Sequence, residues 1–231
     1  MSVLDRSGSA PGARPLVTVD VVIFTLRDQD LKVLLVQRGR WPQEGRWAIP
    51  GGAVGPDEGL EAAAQRKLAE ETGLADVYLE QLYTFGVPDR DPRDRVITVA
   101  YFAVVPATRI VPGAAGNAGR VRWWSIYDLP PLAFDHGAIL SYALTRLRYK
   151  LEYTAVGFEL LPETFTLTEL QSAYEIVLGE ALDKRNFRRK IQGAGVIEPT
   201  GGYRSGEGRP ARLYRYRDDA VAEVKARRLF P

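Results

Sequence analysis

Cysteine is absent from this chain, and histidine occurs once, at position 136. The first absence excludes disulfides, thiolate metal sites and cysteine nucleophiles. The second excludes a multi-histidine metal centre and argues against a histidine-based catalytic triad. His136 itself, in FDHGAIL, reads as a packing or capping residue at a helix start. Long apolar runs are also missing. Val21–Phe24 and Val99–Val105 are strand-length, far short of the roughly 20 residues a membrane helix needs. The opening MSVLDRSGSAPGARP has no apolar core of the kind a secretory leader carries, and residues 1–15 read as a flexible tail. A cytoplasmic protein with no membrane partner is the expectation.

Net charge of either sign is scarce: the formal charge is +2. Its distribution is uneven. From Lys184 to Arg217 stand ten basic residues (184, 185, 188, 189, 190, 204, 209, 212, 215, 217) against Glu198 and Glu207. The remainder is therefore net acidic. What is present is otherwise ordinary: 45% hydrophobic and 26% charged residues over 231 positions, enough for a medium domain and a small one.

Residues 17–37 predict a β-hairpin: VTVDVVIFTL, the polar turn RDQD, then LKVLLVQ. RWAIPGG follows as a short strand broken by glycines. From Glu58 to about Thr72 the spacing predicts a helix, with Leu60, Ala64 and Leu68 on one face and Gly73 as its stop. YLEQLYTFG, RVITVAYFAVV and VRWWSI add strands without a regular βαβ repeat, so an α/β fold with a mixed sheet is expected. A second helix runs from about Gly137 to Tyr153, with Asp135 as its candidate N-cap and a stripe of Leu140, Leu144, Leu147 and Leu151. A domain boundary falls near 150–162, which divides the chain into residues 16–150 with the connector helix and residues 151–231.

The stretch Gly52–Leu74, GAVGPDEGLEAAAQRKLAEETGL, resembles the Nudix signature. Gly52, Glu58, Arg66, Leu68, Glu70, Glu71, Gly73 and Leu74 match eight of its nine defining positions. The resemblance implies a Nudix-like α/β/α sandwich over roughly residues 15–135. In that family, carboxylates on one helix hold Mg²⁺ against the diphosphate of a nucleotide derivative, and positions i, i+3 and i+4 share a helical face. The ninth position is Lys67 where the signature has glutamate. One unit charge at 4 Å is worth about 4 kcal/mol at an effective dielectric near 20, before screening. Lys67 therefore opposes a metal and pairs with Glu70 and Glu71. No catalytic residue is assigned, no metal site is expected beyond a vestigial Glu70 and Glu71, and Mg²⁺ binding is expected to be weak or absent. The alternative, a working Mg²⁺-dependent hydrolase, needs another acid such as Glu58 or Glu61 to compensate.

The C-terminal stretch predicts helix, turn, helix and β-hairpin. Thr168 opens a capping-box pattern with Gln171, Leu170, Ala173, Tyr174 and Val177 form the apolar face, and Asp183 caps the second helix. On that helix Phe187 and Ile191 point inward, while Lys184, Arg185, Arg188 and Arg189 fan over another side. Such a helix suits a DNA major groove, and TGGYRSGEGRP suits the wing of a winged helix-turn-helix domain. The candidate DNA contacts are Thr168, Lys184, Arg185, Asn186, Arg188, Arg189, Tyr203, Arg204 and Arg209.

A Nudix-like domain followed by this module resembles the Nudix-related transcriptional regulators of NAD metabolism. DVVIFTL, YTFGVPDRDPRDRVITVAYFA, FTLTELQ, KRNFRRKI and GRPARLYRY carry the likeness beyond the box. It implies a homodimeric repressor on double-stranded, palindromic operator DNA, with ADP-ribose as the releasing ligand and no required cofactor. Arg38, Arg46 and Trp47, with Glu70 and Glu71, are the candidate ligand contacts. Relatives in the wider group sense sugars, so a sugar-sensing regulator stays open.

Overall fold

The computed structural model describes residues 14–74, 77–107, 121–153, 156–205 and 210–220. Most of the expected tail, and Arg209, lie outside these residues. The β-branched opening segment forms β1 (Leu16–Arg27), which turns through Asp28 and Gln29 into β2 (Asp30–Gln37). Both turn residues have positive φ, 54° and 55°, the geometry of a type I′ hairpin turn that matches the strand twist.

β1 is the axis of a mixed seven-stranded sheet. It runs parallel to β6 (Val96–Val104) from Leu16↔Val96 to Phe24↔Val104 and antiparallel to β2. The short β3 (Trp47–Ala48) pairs with β2, and β4 (Gly51–Ala53) pairs with the start of β1. β5 (Glu80–Phe85) forms one edge beside β6, and β7 (Val121–Ser125) joins β2.

Alternation along β1 decides the layers, because successive strand residues face opposite sides. Val19, Val21 and Ile23 enter a core with Ala63, Ala64 and Leu68 of helix α1 (Leu60–Thr72). Val22 and Phe24 enter the opposite core with Ile139, Leu140, Ala143, Leu147 and Leu151 of helix α2 (His136–Tyr153). The expected sandwich is thus present, with α1 and α2 on opposite faces of the sheet.

Two local expectations are corrected. Leu60, the first residue of α1, is 37% exposed rather than part of its buried face. Asp135 does precede α2, and its carbonyl accepts from Ala138 and Ile139. Its carboxylate does not cap the helix, because it takes a two-pronged contact from Arg90 at 2.9 and 2.7 Å.

After α3 (Val156–Glu159) the chain forms β8 (Phe165–Thr166), α4 (Leu167–Leu178), α5 (Lys184–Gly193), β9 (Ile197–Arg204) and β10 (Ala211–Tyr216). β8, β10 and β9 make a small antiparallel sheet. The capping box of α4 belongs to Thr166 and Glu169, not to Thr168 and Gln171. Thr166 has the extended backbone an N-cap requires, with ψ 157°, whereas Thr168 is already inside the helix. Gln171 instead donates to Glu175 and to the Leu182 carbonyl, bracing the turn. Leu170, Ala173, Tyr174, Val177, Phe187 and Ile191 are buried as expected and continue the α2-side core without a break.

Candidate ligand cavity and nucleic-acid interface

The Nudix-like box folds into one connected cluster. Arg66, on the second turn of α1, clasps Glu58 through Nε and Nη2 at 2.8 Å each. Its Nη1 reaches Glu70 at 3.0 Å. The Gly55 N–H also donates to Glu58, and Arg66 with this bond holds the Glu58 carboxyl down at about 2. Lys67 Nζ meets the other Glu70 oxygen at 2.6 Å, which keeps Glu70 ionised below its ordinary range. Glu71 differs. One of its carboxylate oxygens is buried without a hydrogen-bond partner, and burial raises its pKa against the pull of Lys67.

Glu71 borders a cavity of about 410 Å³ whose walls include Arg38, Arg40, Gln37, Ile49 and Gly51. Arg38 donates from Nε to the Pro42 carbonyl at 2.9 Å, and its guanidinium lies 4.6 Å from the centre of the Phe134 ring. Burial and the nearby Arg93 charge lower its pKa. Arg46 and Trp47 are not among the lining residues. Arg46 is exposed and donates to the Leu132 carbonyl at 3.2 Å, and Trp47 packs edge-on against Trp124 at 5.2 Å. Of the expected ligand set, the structure therefore gathers Arg38 and Glu71 at one cavity, with Glu70 one position away.

Arg40 was missed, although it stands two positions after Arg38, a spacing that returns to one side of an extended chain. A buried group of charges behind the cavity also escaped sequence reading, since its members are distant in the chain. Asp20 lies 3.6 Å from Arg90 and 3.9 Å from His136 Nε2, and the Ile49 N–H donates to His136 Nδ1 at 2.8 Å. The histidine thereby fastens the cavity bend to the start of α2. Burial lowers its pKa and keeps it neutral.

Whether these side chains suit Mg²⁺ is decided by their partners. Both Glu58 oxygens are held by Arg66, and the two Glu70 oxygens are taken by Arg66 and Lys67. Mg²⁺ demands several oxygens in near-octahedral array. Among the described residues no group of three or more acidic or imidazole side chains is placed to hold a metal ion. The donor set does not fit the cradle that the resemblance implied.

In the C-terminal module, Asp183 caps α5 by accepting from the Asn186 N–H at 2.8 Å. Phe187 packs edge-on against Tyr174 at 5.5 Å, which orients the helix. That leaves Lys184, Arg185 and Arg189 exposed, with Arg189 donating to Asn186 at 2.8 Å. Arg188 is half-buried and donates to the Thr168 hydroxyl at 3.3 Å. Tyr203 is exposed on β9. Arg204 is turned back onto Glu169 and the Thr164 carbonyl, a tether that links β9 to the α4 cap. Among the described residues no helix is long and apolar enough to cross a membrane.

Two modules are thus joined in one chain: a Nudix sandwich with a cavity beside its box, and a winged helix whose second helix presents cations. The NUDIX domain model matches residues 16–143, and the model of the NrtR DNA-binding winged helix domain matches residues 157–216. The ADPR responsive transcriptional repressor NtrR of Acinetobacter baylyi is 42% identical over 206 residues, 87% of this chain and 82% of the relative. Shewanella oneidensis NrtR, crystallised with a 27mer DNA, superposes with a TM-score of 0.81 at 40% identity over 92% of this chain and 96% of that one. The Nudix domain of the same protein with ADP ribose matches at 0.51 and 40% identity, over 62% of this chain and 93% of that one. The chain belongs to the NrtR family.

Proposed function

We propose that this protein is a DNA-binding transcriptional repressor of genes for NAD synthesis or salvage, and that ADP-ribose in its Nudix cavity releases it from DNA. The division of labour is a sensor over residues 16–150 and a DNA-binding module over 151–231. The observation that carries the reading is the attachment between them. Tyr127 Oη donates to the Ile176 carbonyl, with the Val177 carbonyl as a longer, shared acceptor at 3.2 Å, and Arg148 Nε donates to Val177 at 2.9 Å. Sensor side chains thereby hold the carbonyl end of α4, the helix against which α5 packs. The Acinetobacter relative is an ADPR-responsive repressor, and the Shewanella relative has been crystallised with DNA and with ADP ribose; both support the assignment.

In this reading Arg38, Arg40, Glu70 and Glu71 face the ligand. Lys184, Arg185, Asn186 and Arg189 meet the major groove, with Thr168 and Arg188 beside them and Tyr203 and Arg204 on β9; Arg209, outside the described residues, is a further proposed contact. The protein works as a cytoplasmic homodimer on a palindromic operator, does not hydrolyse its ligand, and binds Mg²⁺ weakly or not at all. A gel shift on the promoters of NAD genes tests it: a retarded band that ADP-ribose abolishes is expected. No band on any such promoter would reject the repressor. Mg²⁺-dependent release of AMP, lost in Glu70→Gln, would replace the sensor with a hydrolase.

A further inference from the structure

A diphosphate bound in a Nudix cavity needs positive charge beside it, and the carboxylates of this box are not arranged to supply that charge through a metal. The position of Lys67 offers another source. Lys67, Glu70 and Glu71 stand at i, i+3 and i+4 of α1 and share one helical face. Glu71 borders the cavity, so Lys67 lies along the same face one turn earlier. Its chain runs against Gly52, where an added Cβ would lie only 2.7 Å from Lys67 Cε. Gly51, the residue before, lines the cavity. The Lys67 side chain is 20% exposed, partly sheltered beside the residues that line the cavity. On the cavity wall stand Arg38 and Arg40.

We propose that the Lys67 ammonium is the cation of this site, tethered where the signature would recruit a divalent metal, and that it binds the diphosphate of the ligand directly. An ammonium has three donors. One holds Glu70 at 2.6 Å, and the others are available to phosphate oxygens. The glycine at position 52 leaves room for this path of the lysine, since a Cβ there would press on Lys67 Cε and push the side chain aside. The inference rests on the reading of this cavity as the ADP-ribose site and adds to it how the diphosphate is neutralised.

Calorimetric titration of the full-length protein tests it, with ADP-ribose and separately with inorganic diphosphate, each in EDTA and in excess Mg²⁺. Wild-type affinity is expected to agree within about twofold between the two buffers. Lys67→Met keeps the packing over Gly52 and is expected to bind about tenfold or more weakly in EDTA, a loss of about 1.4 kcal/mol. Lys67→Arg is expected to retain most of the affinity. Lys67→Glu is expected to lose binding in EDTA and regain it with Mg²⁺, because the swap restores an oxygen donor. Circular dichroism confirms that each variant is folded. Wild-type affinity that rises tenfold with Mg²⁺, or a folded Lys67→Met variant that binds like wild type, overturns the proposal. If ADP-ribose does not bind but diphosphate does, independently of metal and dependent on Lys67, the role of Lys67 stands and the ADP-ribose assignment falls. If neither binds, both fall.

Discussion

The ring of His136 is buried between the cavity bend and the first turn of α2, faced by Asp20 of β1, by Asp135, and by the guanidinium groups of Arg90 and Arg38. Desolvation outweighs the two carboxylates and lowers its pKa below the usual 6.5. The unfolded chain therefore binds more protons than the folded one as pH falls below that value. The histidine's contribution to stability is present above 6.5 and is lost as pH drops through the folded pKa. The melting temperature of the wild type is expected to fall between about pH 7 and about pH 5.5, and His136→Gln should flatten that slope. An unchanged slope would assign the dependence to another group. Glu58 does not confuse the test. Its pKa is depressed to about 2 from 4.5, so its contribution is present above 4.5 and lost only toward 2. At this scale Lys67 was legible in the sequence, because a motif has a fixed register. Arg40 and the Asp20–Arg90 contact were not, because they are brought together by folding.

The elements of the winged helix separate side chains that hold the module together from those that meet DNA. Thr166 caps α4, so Thr166→Ala should cost about 0.5–2 kcal/mol of stability. Thr168→Ala, inside the helix, should cost less than half of that. Equal losses in chemical denaturation would return the cap to Thr168. On α5 the cationic side can be tested without touching the buried one. Arg189 is exposed and bound only locally to Asn186 among the contacts described. Arg189→Ala should weaken operator binding and lower the slope of log affinity against log salt by about 1 if it meets a phosphate. A salt slope equal to wild type would place it off the DNA. The second helix was readable because the same positions that point inward, Phe187 and Ile191, leave the cations on the other side. The Thr166 cap was less so, since two threonines two residues apart compete and only backbone angles distinguish them.

Across the whole molecule, the sensor and the winged helix share one continuous core and a polar seam. Besides the bonds that Tyr127 and Arg148 make to α4, Ser172 of α4 donates to Gln29 of the β1–β2 turn at 2.9 Å. The cationic Arg148 lies at the carbonyl end of α4, where the helix dipole favours positive charge. His136 fastens the cavity bend to the first residue of α2, and Arg148 reaches α4 from the same helix. An Arg148→Ala, Tyr127→Phe double variant is therefore expected to retain operator and ADP-ribose binding while the ligand-dependent change in operator affinity shrinks by about fivefold or more. Full release of DNA by ADP-ribose in that variant would show that the seam is not the route.

By itself the sequence determined the module order, the box with its lysine, the buried faces of α4 and α5, and the concentration of cations near the C-terminus. All of these follow from local periodicity or from a motif with fixed spacing, which the chain carries before it folds. Only the tertiary structure decided which arginines line the cavity, which cations fold back on their own module, and how α2 ties the ligand bend to α4. Those arrangements join residues tens of positions apart, and their geometry exists only once packing has closed the distance between them.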